Sequence, residues 1–443
     1  MSSDAKRYKE AFVWIWLPGQ VEPVVAGKLT SAENKLLFNY GKSYLERNNA
    51  ISIYADELPL QSGLLPLPKG LNLPGCIRDG APDAWGRRVL LNRLLGRQRQ
   101  NTDVTQLDEL TYLLESGSDR IGALDFQLSA TEYVPRAPVN ASMEELLRSA
   151  ERVEKGVPLS AELDEALYQG GSIGGARPKA LIEDHSKREQ DRKYIAKFSS
   201  TTDLYSVVKA EFVAMRLAQH CGLNAAEVKL ASALGKDILL IERFDRICSP
   251  EGWQRRGMLS ALTLLGLDEM MARYASYADF AEIIRHKFTD VQATLKELFS
   301  RIVFNILTGN TDDHARNHAA FWDGRTLSLT PAYDICPQIR SGNEATQAML
   351  IAGGNRMSRV SSCVNAAHHY LLTQDEACAI IRHQLTIIGD SWDGVCEEAA
   401  LNETDRRLLW GRQFLNPFAT DDLHGEGVLI KDFADQIRRK TSR

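Results

Sequence analysis

Residues 304–322 read FNILTGNTDDHARNHAAFW, and residues 329–337 read LTPAYDICP. An apolar helical run, RIVFNIL, ends near a glycine, and a short polar stretch then carries Asp312, Asp313, His314 and Asn317. A β-hairpin made from HAAFW, DGR and TLSLT follows and delivers a further carboxylate, Asp334. Such a set suits phosphoryl transfer, in which one carboxylate orients and deprotonates an attacking hydroxyl while oxygen ligands hold Mg²⁺. Taken alone, Asp312 and Asn317 fit a plain turn equally well, since both residue types cap turns.

Upstream sequence shifts that balance. The glycine-rich stretch GGSIGGARPK, residues 170–179, opens onto a short strand, ALI. Lys197 lies in the next strand, inside the apolar YIAKF, where a buried ammonium would need an anion. Glu211 lies on the helix VVKAEFVAMRLAQHCGL that follows, which reads as amphipathic and closes on Gly222. The glycines alone describe a mobile loop, and Lys197 alone describes an edge-strand lysine. Together, glycine loop, strand lysine, helix glutamate, base Asp and metal Asp stand in kinase order. The five-position separation of Asp312 and Asn317 is also that of a protein-kinase catalytic loop.

The remainder of the 443 residues narrows the class. Lys plus Arg is 53 and Asp plus Glu is 58, a net charge of −5, which argues against a broad basic face for nucleic acid. No apolar run reaches the roughly 20 residues of a membrane helix, and MSSDAKRYKEAF lacks a secretory core. The 7 cysteines form no CxxC pair, which reads as reduced thiols in a cytoplasm. His314 and His318 form HxxxH, but Ala315 stands where a zincin needs Glu, and His368-His369 reads as ordinary polarity. Neither GxxxxGK[ST] nor GxSxG occurs, which disfavours a P-loop NTPase and a serine hydrolase.

Residues 12–30 alternate apolar and polar around Pro18-Gly19-Gln20, a hairpin pattern. VLLNRLLGR and DELTYLLESGS read as helices, the second closed by Gly117, and SATEYVPRAPVNAS as a linker or crossover. EVKLASALGKDILLIERFDR gives two more β segments, and helical patterns dominate after Arg246.

The loop SIGGARPK, the strand YIAKF, LLIERFDR, TDDHARN and the YD of AYD together resemble the HipA-type serine/threonine kinases of bacterial toxin–antitoxin modules. LPLPKGLNLPGCIRDGAPDAWGRRVL resembles the N-terminal subdomain of that family, and the likeness runs from Phe12 to beyond Ala400. The resemblance implies an α+β, bilobal protein-kinase-like fold with a β-rich N-terminal region and a helical C-terminal lobe. The expected division is an N-terminal subdomain over 1–165, a nucleotide-binding lobe over 166–246 and a helical catalytic lobe over 247–443.

Residue by residue, the resemblance makes Asp312 the catalytic base and Asn317 and Asp334 the Mg²⁺ ligands. ATP would be held by Ile173, Gly174, Gly175, Ala176, Arg177, Pro178 and Lys179 of the loop, and by Lys197 at the α/β-phosphates. The hinge Glu242, Arg243 and Phe244 would hold adenine, with His314, Asn317, Tyr333 and Asp334 completing the nucleotide site. Ser172 would be the self-phosphorylated serine. YDI stands where kinases carry DFG, and HRD and APE do not occur. The Lys197–Glu211 pairing is carried over from kinases in general. Asp313, adjacent to the base, is expected to tolerate replacement by alanine much better than Asp312. The family further implies a translation component as substrate, an aminoacyl-tRNA synthetase in studied members, and growth arrest as outcome. A HipB-like antitoxin would restrain the enzyme and carry most contact with operator DNA. A small-molecule kinase and a non-catalytic nucleotide-binding module remain the alternatives.

Overall fold

The computed structural model describes residues 8–97, 107–136, 141–157, 159, 177–184, 191–200, 203–340, 342–425 and 427–441. The chain builds two compact units that interleave along the sequence. The first comprises 1–202, 231–259 and 321–325, and the second 203–230, 260–320 and 326–443.

In the first unit, β1 (Glu10–Ile15) and β2 (Val24–Ala32) form the expected hairpin, with Phe12 opposite Lys28 and Gly19 at φ 76° in the turn. Glu33 and Asn34, both at positive φ, turn β2 into β3 (Lys35–Tyr40), the two-residue geometry whose twist suits antiparallel strands. β4 (Leu124–Gln127) pairs antiparallel to β1 and completes a sheet of order β3-β2-β1-β4. A second sheet has the order β5-β6-β8-β7, from β5 (Lys179–Asp184), β6 (Arg192–Phe198), β7 (Val228–Ala233) and β8 (Lys236–Glu242).

Helices α1 (Ala84–Arg97), α2 (Glu109–Glu115) and α3 (Met143–Glu154) come from the N-terminal half. Trp85 and Val89 of α1 and Leu146, Leu147, Ala150 and Val153 of α3 join Ala180, Tyr194, Ala196, Phe198, Ile238 and Leu240 in one buried cluster. The apolar face of the second sheet is therefore covered by helices that precede it by many residues. Ser142 and Glu145 start α3 with a reciprocal capping box. The α2 helix ends differently from expectation: Ser116 is extended and its hydroxyl donates to the Tyr112 carbonyl, so Gly117 does not close it. Beyond Arg246 a further antiparallel pair, β9 (Arg246–Ser249) and β10 (Gly252–Arg255), precedes the helices. Its polar Gly-containing turn was too short to stand out from the helical texture around it.

The second unit is helical, with α4 (Val207–His220), α5 (Tyr277–Lys287), α6 (Val291–Leu307), α7 (Val360–Ala366), α8 (Gln374–Glu398), α9 (Glu403–Leu409) and α10 (Gly427–Thr441). Cys221 caps α4 and Gly222 follows at φ 80°. The α4 helix is buried on most faces rather than amphipathic, because Glu211 and Ala210 are enclosed along with Phe212, Val213 and Met215. α6 runs through the middle, with Leu295, Leu298, Phe299, Ile302, Val303, Phe304 and Ile306 all buried. Trp392 of α8 packs its ring 4.8 Å from both Trp410 and Phe414. Among the described residues, no helix is long and apolar enough to cross a membrane.

Candidate functional site

The turn after α6 is held by several close backbone contacts. Gly309 has φ 69°, and a Cβ there would meet the Gln413 carbonyl oxygen at 2.6 Å, so only glycine fits. The amide of His314 donates to the Asp312 carbonyl at 2.9 Å and that of Asn317 to the His314 carbonyl at 2.8 Å. Asn317 Nδ2 donates to the Asp312 carbonyl at 3.3 Å, and the Tyr333 hydroxyl to the Arg316 carbonyl at 2.6 Å. The tail of the hairpin is fastened by the Thr330 amide, which donates to the Ala319 carbonyl at 3.0 Å. Asp334 sits in the left-handed region at φ 59°, a conformation that aspartate tolerates better than most residues. Asp312, His314, Asn317, Tyr333 and Asp334 are thus gathered by one turn and the strand-end that follows it.

Electrostatics separates the two adjacent aspartates. Burial raises the pKa of Asp312, and the negative charges of Asp334 and Asp313 raise it further against the opposing pull of His314. Asp313 is fully enclosed, yet its pKa is lowered: burial alone would raise it, but His318 and Tyr277 outweigh that. Its carboxylate accepts from Asn305 Nδ2 at 2.7 Å, meets His318 Nε2 at 2.9 Å and accepts from the Tyr277 hydroxyl. The expectation that Asp313 can be lost cheaply is therefore corrected, because it anchors the turn that displays Asp312. Asn305 Oδ1 in turn accepts from Asn310 Nδ2 at 3.1 Å, and the same Nδ2 reaches the Asp334 carbonyl at 3.5 Å. Asn305, Asn310 and Tyr277 were not singled out from sequence, and His318 was weighed there only as half of an HxxxH zinc pair. A polar Asn305 within the apolar RIVFNIL was the available signal.

The first unit carries the other group of sequence-derived positions. Lys197 is buried on β6 and lies directly opposite Lys179 of β5. Lys179 is the first residue of a strand rather than part of a loop, and its ammonium lies 3.2 Å from an Asp83 carboxylate oxygen. Trp85 Nε1 donates to the Lys179 carbonyl at 3.0 Å, and the Gly86 amide donates to Asp83 Oδ1 at 2.7 Å, so the start of α1 grips the start of β5. Arg177 and Pro178 lead into that strand, and the Phe198 amide donates to the Pro178 carbonyl at 3.0 Å. Ser172, Ile173, Gly174, Gly175 and Ala176 lie outside the described residues.

At the end of β8, Glu242 pairs with Arg192 at 2.5 Å, and Phe244 meets Phe321 edge-on with centroids 5.9 Å apart. The Arg243 side chain turns into the interior, where Asp119 accepts at 2.8 Å and Asp245 at 2.9 Å. Arg246 and Lys193 share Asp119, and Asp245 also accepts from the Gly122 amide at 2.8 Å. These contacts fix the backbone of 242–244 from the N-terminal side, and leave the Arg243 guanidinium engaged in the fold. Lys197 and Glu211 belong to different units.

The donor set at Asp334 and Asn317 is hard oxygen, the chemistry that suits Mg²⁺. Among the described residues, no group of three or more His, Cys, Asp or Glu offers an all-protein metal cage.

Mixed sheets and helices with an N-terminal sheet define an α+β protein of kinase-like fold. A family model described as the HipA-like C-terminal domain matches residues 171–392, and one for the HipA N-terminal domain matches 16–127. The chain belongs to the HipA family. It is 24% identical over 249 residues to Y4mE of Sinorhizobium fredii, a candidate kinase by its description, covering 55% of this chain and 53% of that protein. It is 26% identical over 186 residues to the serine/threonine-protein kinase toxin HipA of Shewanella oneidensis, covering 37% of this chain and 42% of that one. The chain thus aligns with about half the length of these curated relatives. A chain in the solved complex of Shewanella oneidensis HipA, HipB and operator DNA shares the fold, with a TM-score of 0.64, 17% identity and 97% of each chain covered.

Proposed function

We propose that the protein is an ATP-dependent serine/threonine kinase toxin that phosphorylates a component of translation and is restrained by a HipB-like antitoxin. The observation that carries this reading is the turn in which Asp312, raised in pKa and displayed at the surface of a buried polar hub, shares its surroundings with Asn317 and Asp334. Membership of the HipA family and the kinase names of its relatives support the same class.

In this reading Asp312 orients the acceptor hydroxyl and accepts its proton. Its pKa, raised by burial and by the neighbouring Asp334 and Asp313, makes it a stronger base than an ordinary carboxylate. Asn317 and Asp334 hold Mg²⁺, which when bound neutralises charge on the phosphates. Lys197 contacts the α/β-phosphates, with Ile173 through Pro178 over the nucleotide, while Lys179 is engaged by Asp83 at the start of the strand. The backbone of Glu242–Phe244, fixed by the buried Arg243 side chain, meets adenine. Ser172 is the site of self-phosphorylation, which places about −1.5 to −2 charges beside the triphosphate and switches the enzyme off by repulsion. Positioning and electrostatics supply most of the catalysis in such transfers.

The test is phosphoproteomics after brief induction of wild type against Asp312→Ala. One dominant new phosphosite on a translation protein, absent in the variant, is the expected result. Loss of the base should reduce transfer by about 10²–10⁴-fold while ATP still binds. Equal phosphorylation by the variant would remove Asp312 from its role, and an altered small metabolite with no phosphoprotein would favour a small-molecule kinase.

A further inference from the structure

Among the described residues several arginines keep one or two buried guanidinium nitrogens without a hydrogen bond, but only Arg340 has all three in that state, whereas the most enclosed guanidiniums are well supplied with partners. Arg120 donates to Asp125 at 2.9 Å and to the Gly80 carbonyl at 3.0 Å. Arg301 donates to Glu297 at 2.8 Å and to the carbonyls of Asn224 and Thr330 at 3.1 and 2.9 Å. Arg243 lies between two carboxylates. Arg340, by contrast, has Nε, Nη1 and Nη2 all buried, and none of the three has a hydrogen-bond partner. Burial pushes its pKa below the usual arginine value. A guanidinium does not give up its proton at physiological pH, so the charge stays and goes uncompensated.

The position of this charge is informative. It stands six residues after Asp334, on a segment whose two ends are fastened to the turn before Asp312. On the near side, the Tyr205 hydroxyl donates to the Pro337 carbonyl at 3.0 Å and the Gln338 amide to the Gly309 carbonyl at 3.0 Å. On the far side, Gln347 Nε2 donates to the Asn310 carbonyl at 3.1 Å and the Ala348 amide to the Thr311 carbonyl at 3.0 Å. The loop that bears Arg340 therefore springs from, and returns to, residues 309–311.

We propose that Arg340 is the receptor for a phosphoryl group at this site. Its five N–H donors form a planar fork that matches two phosphate oxygens at once, and a dianion there satisfies the buried charge. The occupant is either the terminal phosphate of the nucleotide or a phosphorylated side chain, which present the same chemistry. Arg340 is thus a charge kept unpaired in the empty protein so that a phosphate can pair it, the usual trade of stability for function. The inference rests on the kinase reading, but its test can be read without turnover.

The full chain is compared as wild type, Arg340→Met and Arg340→Lys, with thermal unfolding in the absence of ligand and calorimetric titration of ATP, ADP, inorganic phosphate and O-phosphoserine. Arg340→Met should melt at or above the wild-type temperature and bind its phosphate ligand at least about tenfold more weakly, the scale of a charge-assisted hydrogen bond. Arg340→Lys, which keeps charge without the fork, should fall between. If the nucleotide's terminal phosphate is the occupant, ATP weakens more than ADP. If a phosphorylated side chain is the occupant, O-phosphoserine weakens and the ATP-to-ADP ratio is unchanged. Unchanged binding of all four probes in Arg340→Met overturns the proposal, as does a wild type that binds none of them. Lost stability together with lost binding also overturns it, for that marks an arginine that holds the fold. A wild type that binds inorganic phosphate through Arg340 but no nucleotide would sink the kinase reading and leave this one standing.

Discussion

Asp312 and Asp313 are neighbours with opposite fates. Asp312 has a raised pKa, so its ionised form is disfavoured in the folded state, first by burial and then by Asp334 and Asp313. Activity that needs the ionised base should therefore fall off on the acid side at a higher pH than an ordinary aspartate, near ~3.9, would give. Asp334→Asn removes one of the raising charges, and carboxylate NMR titration of the nucleotide-free protein should show Asp312 moving down. Asp313 has a lowered pKa, so it contributes stability that is fully present above the unfolded value and is lost as pH falls through the folded one. Asp313→Ala leaves His318, Asn305 and Tyr277 without their shared acceptor. A cost of about 3 kcal/mol or more is expected in urea unfolding. A variant as stable as wild type would show that the hub does not hold the turn. From sequence the pair looked like a functional residue with a spare beside it, since chain adjacency hides which carboxylate faces inward.

At the scale of elements, the buried amides Asn305 and Asn310 join α6 to the left-handed Asp334. Asn310→Ala should cost about 1–2 kcal/mol and raise the Mg²⁺ needed for half-maximal activity, because the Asp334 backbone loses a contact. Activity assayed across a magnesium series separates this from simple destabilisation, which excess metal would not reverse. The secondary elements themselves were legible where period and punctuation agreed. The β1–β2 hairpin, YIAKF and the α6 run all showed their patterns, and Gly222 marked the end of α4. The short β9–β10 pair was hidden because four-residue strands carry too few alternations to be seen. The covering of one sheet by α1 and α3 was equally invisible, for periodicity reports that a face is buried and not what buries it. The Asp83–Lys179 pair belongs to the same class of fact, as it joins residues that no local pattern connects.

For the molecule as a whole, the charge of −5 sets an expectation about DNA. A chain without a net basic field gains little from counterion release. The purified protein alone should show negligible affinity for duplex DNA at about 0.15 M salt in fluorescence anisotropy, and binding should appear with a basic antitoxin partner. Salt-resistant binding by the chain alone would place DNA contacts on this protein.

The interleaving of the two units also has a consequence for how the protein is made. The first unit is finished by Phe321–Arg325, where Phe321 meets Phe244, Trp322 Nε1 donates to the Ser52 carbonyl at 2.8 Å, and Gly324 lies so close to Ile51 that a Cβ would come within 2.5 Å of it. A ribosome adding about 5–20 residues per second must therefore pass residue 325 before the N-terminal sheet region has its last contacts. A nascent chain arrested earlier holds the first 200 residues and still lacks the piece that closes them. The growing polypeptide thus keeps this unit open until residue 325 has been synthesised, and its early strands must be shielded from other chains for that long.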